Sequence, residues 1–284
     1  MASLKEIKIR IASVNSTLKI TSAIRMISSA KLHKAQSAVA SLIPYQNSLN
    51  DILRETLDGI EEIQSPYIEI REPKRVAIVS ISSNSSLCGA FNVDVEKMTT
   101  SVIEEYKGLG KENIILFPIG KKITTILEKQ YKIENIDSKM ADKADYNQCA
   151  ELSLKLMEMF KEKSVDRVEV IYNHFKTTAN QVVTREIYLP MSLPNQVNNL
   201  TADYILEPSR KEIIDELLDK ILAFKVFDIL TDSNAAEHAA RMVAMHLATE
   251  NAKKLIKELT VQYNKSRQQA ITNELLDIMG GMAR

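Results

Sequence analysis

Apolar residues recur along the start of the chain with the spacing of a coiled-coil seam. Leu4, Ile7, Ile11, Val14 and Leu18 are separated alternately by three and four positions, so they form one stripe along a helix. The apolar positions then resume out of phase at Ile20, Ile24 and Ile27. This pattern predicts a long helix over residues 1–58 that packs along a second helix through an irregular seam.

The placement of glycine and proline predicts the second helix. The chain has seven glycines and seven prolines, of which only Pro44, Gly280 and Gly281 lie outside residues 59–208. Glycine costs a helix interior about 1 kcal/mol and proline about 3 kcal/mol, so their absence from Ser209 to Met279 indicates one continuous helix. A helix of that length cannot bury its apolar face in a small domain. We therefore expect residues 207–284 to pair with the N-terminal helix as a long antiparallel two-helix coiled coil.

Alanine recurs at every fourth position in part of this C-terminal helix. The row consists of Ala236, Ala240, Ala244, Ala248 and Ala252. Small side chains in such a row let another backbone approach closely, although alanine is also simply the best helix former. The residues of the first helix that could face the row are Ala23, Ser28, Ser29 and Ala30.

Between the two helices the pattern changes to alternating strands and helices. Residues 59–73 read as a linker and residues 74–206 as a central domain. The predicted strands are Arg75–Ser82, Asn113–Phe117, Tyr131–Ile136, Arg167–Phe175 and Gln181–Leu189, and the predicted helices are Val93–Tyr106, Lys121–Gln130 and Tyr146–Lys163. This alternation predicts a Rossmann-like α/β domain with a mainly parallel sheet and an antiparallel strand at one edge.

The balance of charge argues against a nucleic-acid partner, because the formal net charge is zero. Residues 1–40 are an exception, since Glu6 is their single acidic residue. Their basic residues are Lys5, Lys8, Arg10, Lys19, Arg25, Lys31 and Lys34. This local excess favours an acidic protein partner, with a solvated helix face as the alternative interpretation.

The cysteines and the hydropathy of the chain indicate in which cellular compartment the protein works. Cys88 and Cys149 are too far apart in sequence for a metal-binding motif or a disulfide framework, which predicts a reducing compartment. The N-terminal segment lacks the apolar core of a signal peptide. No apolar run approaches the roughly 20 residues of a membrane span. We therefore expect membrane association only through a partner.

An α/β domain suggests nucleotide binding, but the phosphate-binding motifs are missing. The segment after the first predicted strand, Ser82–Asn92, contains one glycine, Gly89, and neither G-x-G-x-x-G nor G-x-x-x-x-G-K-[ST] occurs. His238 and His246 are eight positions apart, which is too far along a helix for one metal ion. Cys88 could be an activated thiol or a buried structural cysteine. We predict no catalytic site, cofactor or metal.

Four distinctive segments are Ile20–Gln36 (ITSAIRMISSAKLHKAQ), Leu87–Asn92 (LCGAFN), Glu237–Asn251 (EHAARMVAMHLATEN) and Leu259–Glu274 (LTVQYNKSRQQAITNE). They resemble the gamma subunit of F-type ATP synthases, and the resemblance spans the chain. Three residues depart from the family pattern: Ser22 in place of a common lysine, Ser86 in place of a glycine, and Met282 after Gly281.

The resemblance implies a mechanical function. The helix pair would stand inside a ring of three alpha and three beta subunits. Its lower end and the α/β domain would bind the epsilon subunit and the c-ring. Proton or sodium flow would turn this central stalk, and ATP chemistry would take place on the beta subunits. The chain itself would be non-catalytic, and it would be peripheral on the cytoplasmic side of a bacterial inner membrane.

The resemblance also assigns partner contacts to individual residues. Met26 and Arg241 correspond to family positions at the neck, where the stalk meets acidic loops of beta. Arg267 and Gln268 correspond to an Arg-Gln pair that contacts a beta loop near the top of the ring. An apolar tip that turns inside an apolar sleeve would consist of Ile271, Leu275, Ile278 and Met282.

Two other functions are compatible with parts of this sequence. A coiled-coil scaffold or adaptor with an inserted α/β module has the same architecture but not the motifs at the two ends. A nucleotide-dependent α/β enzyme with helical arms would need the phosphate-binding loop that the sequence lacks.

Overall fold

The structure, a computed structural model, describes residues 3–57, 65–134, 137–192 and 209–282. Two continuous helices dominate it, α1 (Leu4–Leu57) and α6 (Arg210–Met282). The described residues up to Ser29 and from Arg241 onward form one compact unit, the stalk unit. The described residues of Ala30–Ala240 form a second, the α/β unit. The predicted fold class, long terminal helices that flank an α/β domain, is confirmed.

A four-stranded sheet forms the centre of the α/β unit. Its strands are β1 (Val76–Ile81), β2 (Ile114–Ile119), β3 (Arg167–Thr177) and β4 (Asn180–Leu189), in the order β2-β1-β3-β4. β1 is parallel to both of its neighbours, and β4 pairs antiparallel with β3 at one edge. The mainly parallel sheet with one antiparallel edge strand agrees with the prediction.

Shorter helices cover the sheet, and their bounds differ slightly from the predicted ones. They are α2 (Phe91–Glu105), α3 (Lys121–Leu127), α4 (Lys139–Asp142) and α5 (Tyr146–Lys161). The strand predicted at Tyr131–Ile136 was wrong for its described part, because only an isolated bridge joins Ile133 to Leu116. Residues 135–136 lie outside the described residues. At this bridge Glu134 N donates to Leu116 O at 2.8 Å, and the adjoining described residues form no ladder with β2.

The sheet is buried on both faces, which explains the nearly continuous apolar runs of β1 and β2. On one face, Val79 and Phe117 pack with α5 residues such as Leu156 and with α6 residues such as Leu222. On the other face, Ile78 and Leu116 pack with α2 and α3. Helix α6 therefore supplies part of the core of the α/β unit.

Within the same unit, α1 and α6 also pack directly on each other. Leu49, Leu53 and Leu57 of α1 form one buried cluster with α6 residues that include Leu218. The ring of Tyr45 lies 5.0 Å from the ring of Phe224. These contacts run in opposite directions along the two helices, as an antiparallel pair requires. In the described ranges, no helix is both long and apolar enough to cross a membrane.

Gly120 joins β2 to α3 in a backbone conformation that requires glycine. Its φ is +99°, and a Cβ atom there would lie 2.1 Å from the carbonyl oxygen of Ser82. The main chains are held at this distance because Ser82 N donates to Ile119 O at 2.8 Å.

We predict that Gly120→Ala lowers the free energy of unfolding by at least about 1–3 kcal/mol, because it adds both backbone strain and a clash. Thermal or urea unfolding measures this effect. Gly108→Ala is the matched control, since a Cβ at Gly108 meets nothing within 4 Å. Equal stability of the two variants would contradict this account of Gly120.

Asp228 of α6 is a half-buried carboxylate among other charges. Burial raises its pKa, and the nearby carboxylates of Asp232 and Glu186 raise it further, while His174 and Lys225 act in the opposite direction. The ionised form is therefore less favourable in the folded chain than in the unfolded chain. Because the folded-state pKa is raised, the chain gains stability as pH falls through it.

We predict that Asp228→Asn raises the Tm by a few degrees at neutral pH, because the neutral amide removes the buried charge. The gain should shrink as pH falls towards the range in which wild-type Asp228 is protonated. Thermal unfolding of both proteins across the acid and neutral range measures this convergence. A difference that does not depend on pH would mean that the amide acts through packing and not through charge.

Candidate partner-binding surface

In the stalk unit, α1 packs on α6 through one stripe of side chains, and the alternating spacing of three and four positions continues along it. Ile7 is buried, and Ile11, Val14 and Leu18 are half-buried along the same stripe. The stripe continues with buried Thr21, half-buried Arg25 and buried Ser28. The phase break predicted at Ile20 was therefore wrong. The seam keeps its spacing, and its side chains change from apolar to polar.

A pair of threonines forms the first polar layer of this seam. Thr249 Oγ1 lies 3.0 Å from Thr21 Oγ1, and the exposed fraction of Thr249 is 2%. Each hydroxyl also lies close to a carbonyl oxygen of its own helix, Met245 O for Thr249 at 2.7 Å and Leu18 O for Thr21 at 3.1 Å. Two hydroxyl protons thus serve three contacts, and both buried oxygens stay satisfied.

One turn further along α1, Arg25 Nη1 lies 3.2 Å from His246 Nδ1. Because a guanidinium only donates, this His246 nitrogen accepts the hydrogen bond. The two contacts, Thr21 to Thr249 and Arg25 to His246, fix the antiparallel register of the stalk unit. In that register Leu18 lies level with Ala252, a large residue beside a small one.

Of the three isoleucines that break the expected phase, Ile20 and Ile27 lie on the outside of α1, whereas Ile24 is half-buried. The exposed fractions of Ile20 and Ile27 are 59% and 57%, and Met26 is exposed between them. A two-helix pair on its own would bury these side chains in preference to Thr21 and Ser28. This inverted arrangement leaves a row of large apolar side chains uncovered on the outer face of α1. The sequence signal was the occurrence of polar residues at in-phase positions.

The alanine row does not form one continuous contact with α1. Ala236 and Ala240 pack in the α/β unit against Cys88 and Phe91, so they let a loop of the α/β domain approach α6 closely. Ala252 is buried in the stalk unit. Among the α1 residues predicted to face the row, Ser28 is buried, and the prediction was wrong for Ala23, Ser29 and Ala30, which are exposed.

The end of α6 is a single helix with apolar side chains on its surface. Ile271, Leu275 and Ile278 are all exposed, and so are Leu276 and Met279, which the sequence analysis did not single out. Together these residues cover one broad face of the helix end, and the polar residues Glu274 and Asp277 lie on the other side. The side chain of Met282 lies outside the described part of the structure. Arg267 and Gln268, one turn before this end, are exposed.

Arg241 differs from the other predicted contact residues. Its exposed fraction is 9%, so the guanidinium is largely enclosed by the chain itself. The structure brings Met26 and the end of α6 to the surface of the stalk unit and leaves Arg241 beneath it.

One helix start at which α/β domains can bind phosphate, the start of α3 after β2, is filled by the chain's own groups. In such sheets, ligands bind at the carboxyl ends of the strands, on free N–H groups at a helix start. Here Lys121 N donates to Asn84 Oδ1 at 2.9 Å, Lys122 N to Ser83 O at 3.2 Å, and Ile123 N to Ser82 Oγ at 3.0 Å. The first turn of α3 therefore has no N–H group left for a phosphate.

The two cysteines are free and buried. Burial raises the pKa of Cys149 to about 12, so its thiol stays protonated. Cys88 Sγ lies 3.2 Å from Asn92 Nδ2 within the loop that packs on α6. This placement agrees with the interpretation of Cys88 as a structural cysteine. Among the described residues, no group of three or more His, Cys, Asp or Glu side chains is arranged to hold a metal ion.

Known proteins match the chain over its full length. A family model described as ATP synthase matches residues 3–283. A protein named ATP synthase gamma chain from Phocaeicola vulgatus is 52% identical over 286 residues, with 99% of each chain covered. A protein of the same name from Bacteroides thetaiotaomicron is 50% identical over 295 residues, with 99% of each chain covered.

A solved structure shares the fold at much lower identity. It is a chain of the Euglena gracilis mitochondrial ATP synthase, from a structure of OSCP, F1 and c-ring. The TM-score is 0.62 at 18% identity, and the match covers 99% of this chain and 93% of that one. This likeness extends over both long helices and the sheet between them. By sequence along its whole length, and by fold, the chain belongs to the ATP synthase gamma chain family.

Proposed function

We propose that the chain is the non-catalytic central stalk of an F-type ATP synthase and couples ion flow to ATP chemistry by rotating. The observation that carries this proposal is the full-length match to ATP synthase gamma chains at about half identity. Its partners are three alpha and three beta subunits, the epsilon subunit and the c-ring. It is peripheral to the bacterial inner membrane, on the cytoplasmic side.

The exposed apolar residues of the stalk unit support the proposal that partner subunits surround it. Isolated chains rarely expose long rows of large apolar residues. Here they occur on α1 at Ile20, Met26 and Ile27, and at the end of α6. A broad apolar face makes few directional bonds, so it can turn inside an apolar sleeve with low barriers. We assign Ile271, Leu275, Ile278 and Met282 to this bearing.

The excess of basic residues on α6 supports the proposal that acidic loops of a partner bind around the middle of the stalk unit. In α6 the basic residues from Arg241 to Arg267 outnumber Glu250 and Glu258. A positive collar of this kind attracts acidic loops and guides their approach. We propose that Met26 contacts such a loop directly and that the enclosed Arg241 supports that contact from beneath. Arg267 and Gln268 are exposed for hydrogen bonds to a further loop near the end of the stalk unit.

The filled phosphate position supports a non-catalytic function. Ser82 and Asn84 occupy the donors of α3 that a nucleotide would need. The opposite side of the same loop packs on α6 through Cys88 and Phe91. The loop thus attaches the α/β domain to the long helix. The scaffold alternative shares this attachment but does not account for the full-length family match.

We predict that the assembled complex rotates a probe attached to this chain when ATP is supplied. Both native cysteines are buried, so Lys107→Cys, at an exposed position, gives one reactive thiol for a bead or fluorophore. Single-molecule microscopy of the complex with alpha and beta subunits measures the rotation. Active ATP hydrolysis with a stationary probe would refute the proposed function.

We predict that Arg267→Glu with Gln268→Glu lowers ATP synthesis by the reconstituted complex, because two carboxylates would repel an acidic loop. The folding of the isolated chain should not change, since both residues are exposed. Arg267→Lys is the control that keeps the charge but loses the paired donors of the guanidinium. ATP synthesis at the wild-type rate in the double Glu variant would exclude this contact while leaving the rotation experiment unaffected.

A further inference from the structure

In the α/β unit, the hairpin β3–β4 is joined to α6 by polar contacts at successive turns of the helix. Tyr188 of β4 donates a hydrogen bond to the carbonyl oxygen of Leu222 at 3.0 Å. One turn later, Lys225 Nζ lies 3.4 Å from Glu186 Oε2. Two turns further, Asp232 contacts β3. These contacts lie along one side of α6, over the apolar core that the helix shares with the sheet.

Tyr188 is the most enclosed of these groups. Its exposed fraction is 1%, and it is among the largest fully buried side chains in the described residues. Its hydroxyl oxygen lies 2.7 Å from Ser153 Oγ of α5. Ser153 and Leu222 therefore hold the phenol between two helices. Burial raises the pKa of Tyr188 above its ordinary value, so the hydroxyl stays protonated and keeps donating to α6.

Asp232 joins α6 to the main chain of β3 as well as to a side chain. Asp232 Oδ1 accepts from Phe175 N at 3.2 Å, and Asp232 Oδ2 lies 2.7 Å from His174 Nδ1. The exposed fraction of the Asp232 side chain is 15%. Because one carboxylate binds two consecutive residues, a shift of α6 along the strand would break both contacts.

Glu186 completes the series between these two points. Tyr172 donates to Glu186 Oε1 at 2.8 Å, which fixes the carboxylate that faces Lys225. This pair is more exposed than Tyr188 or Asp232, and exposed ion pairs contribute little. The main contacts are therefore at Tyr188 and Asp232, which lie at the two ends of the series.

The chemical nature of the contacts matters because α6 and the sheet otherwise meet through apolar side chains. Leu222, Val226, Ile229 and Leu230 lie in the core of the α/β unit. Apolar burial resists separation of two surfaces, but it is non-directional, so it resists sliding only through side-chain fit. Hydrogen bonds weaken steeply with misalignment. Polar contacts at both ends of the interface thus oppose sliding and twisting of the helix.

We propose that Tyr188 and Asp232 are positioning residues that keep the α/β domain from slipping along α6 under load. This inference rests on the proposed function, since a load exists only if the α/β domain is driven by the ion-conducting ring and α6 works against the hexamer. The two residues touch no reacting group. They make the domain and the helix turn together.

The first test replaces Tyr188 by Phe in the complete reconstituted complex. Tyr188→Phe removes only the hydroxyl, and we expect the Tm of the chain to fall by about 2–4 °C, as one lost hydrogen bond implies. ATP hydrolysis without an ion gradient should keep its wild-type rate. With an opposing ion gradient, we expect fewer ions pumped per ATP hydrolysed than in the wild type.

Tyr106→Phe is the matched control. The Tyr106 hydroxyl lies 2.6 Å from Glu169 Oε1 and also contacts Arg167, so its bonds stay within the α/β domain. We expect a comparable loss of Tm but wild-type pumping per ATP under the same gradient. Equal loss of pumping in Tyr106→Phe and Tyr188→Phe would overturn the proposal, because general destabilisation would then explain both variants.

A second pair of variants decides the question if Tyr188→Phe fails to fold or assemble. Asp232→Asn weakens the contact with His174, and Asp166→Asn is its control, because Asp166 accepts from Lys74 N and Arg75 N within the α/β domain. Loss of pumping under load in Asp232→Asn alone supports the proposal. Wild-type pumping in Asp232→Asn and in any assembled Tyr188→Phe overturns it. A wild-type complex without coupled pumping would instead refute the proposed function.

Discussion

The structure depends on how one very long helix covers its apolar side chains. An isolated helix gains little stability from its backbone hydrogen bonds, so α6 persists only where other groups pack on it. In the α/β unit that cover comes from the sheet, from α5 and from the C-terminal end of α1. In the stalk unit it comes from α1 alone. From Ile271 onward the described chain supplies no cover for the large apolar side chains.

The first three strands of the α/β domain have the order 2-1-3, as in flavodoxin-like nucleotide-binding folds, but the domain uses the loop after β1 in a different way. The loop after β1 places Ser82 and Asn84 on the first turn of α3. Its continuation packs Cys88 and Phe91 on two alanines of α6. Both uses are structural. A loop that binds a ligand in many related folds therefore attaches a domain to a helix here.

The seam of the stalk unit shows that burial within one chain does not explain every position. Thr21 and Ser28 are buried while Ile20 and Ile27 are exposed. Burial of one isoleucine contributes about 1.5–3 kcal/mol, whereas one hydrogen bond contributes about 0.5–1.5 kcal/mol. The pair of threonines therefore does not make this arrangement the best one for two helices alone. It becomes favourable when a third surface covers the outer face of α1.

Much of this protein was predictable from its sequence, because the strongest signals are local. Because glycine and proline are absent from Ser209 to Met279, no residue there interrupts a helix, and this signal is read from the sequence alone. Short β-branched runs between amphipathic helices give a parallel sheet for the same kind of reason. The motifs at both ends led to the family. The contact residues Arg267, Gln268 and Ile271 remain proposals, because they depend on surfaces of other chains.

Tertiary structure decided the features that depend on which surfaces meet. Periodicity identifies an apolar stripe but not its partner, so the sequence placed the seam at Ile20 and Ile27 and the structure placed it at Thr21 and Ser28. The same limit separates Ala236 from Ala252, which are alike in sequence but pack against different parts of the chain. Local backbone preference determines which segments form helices and strands. The surface against which each side chain packs depends on contacts between residues that are far apart in sequence.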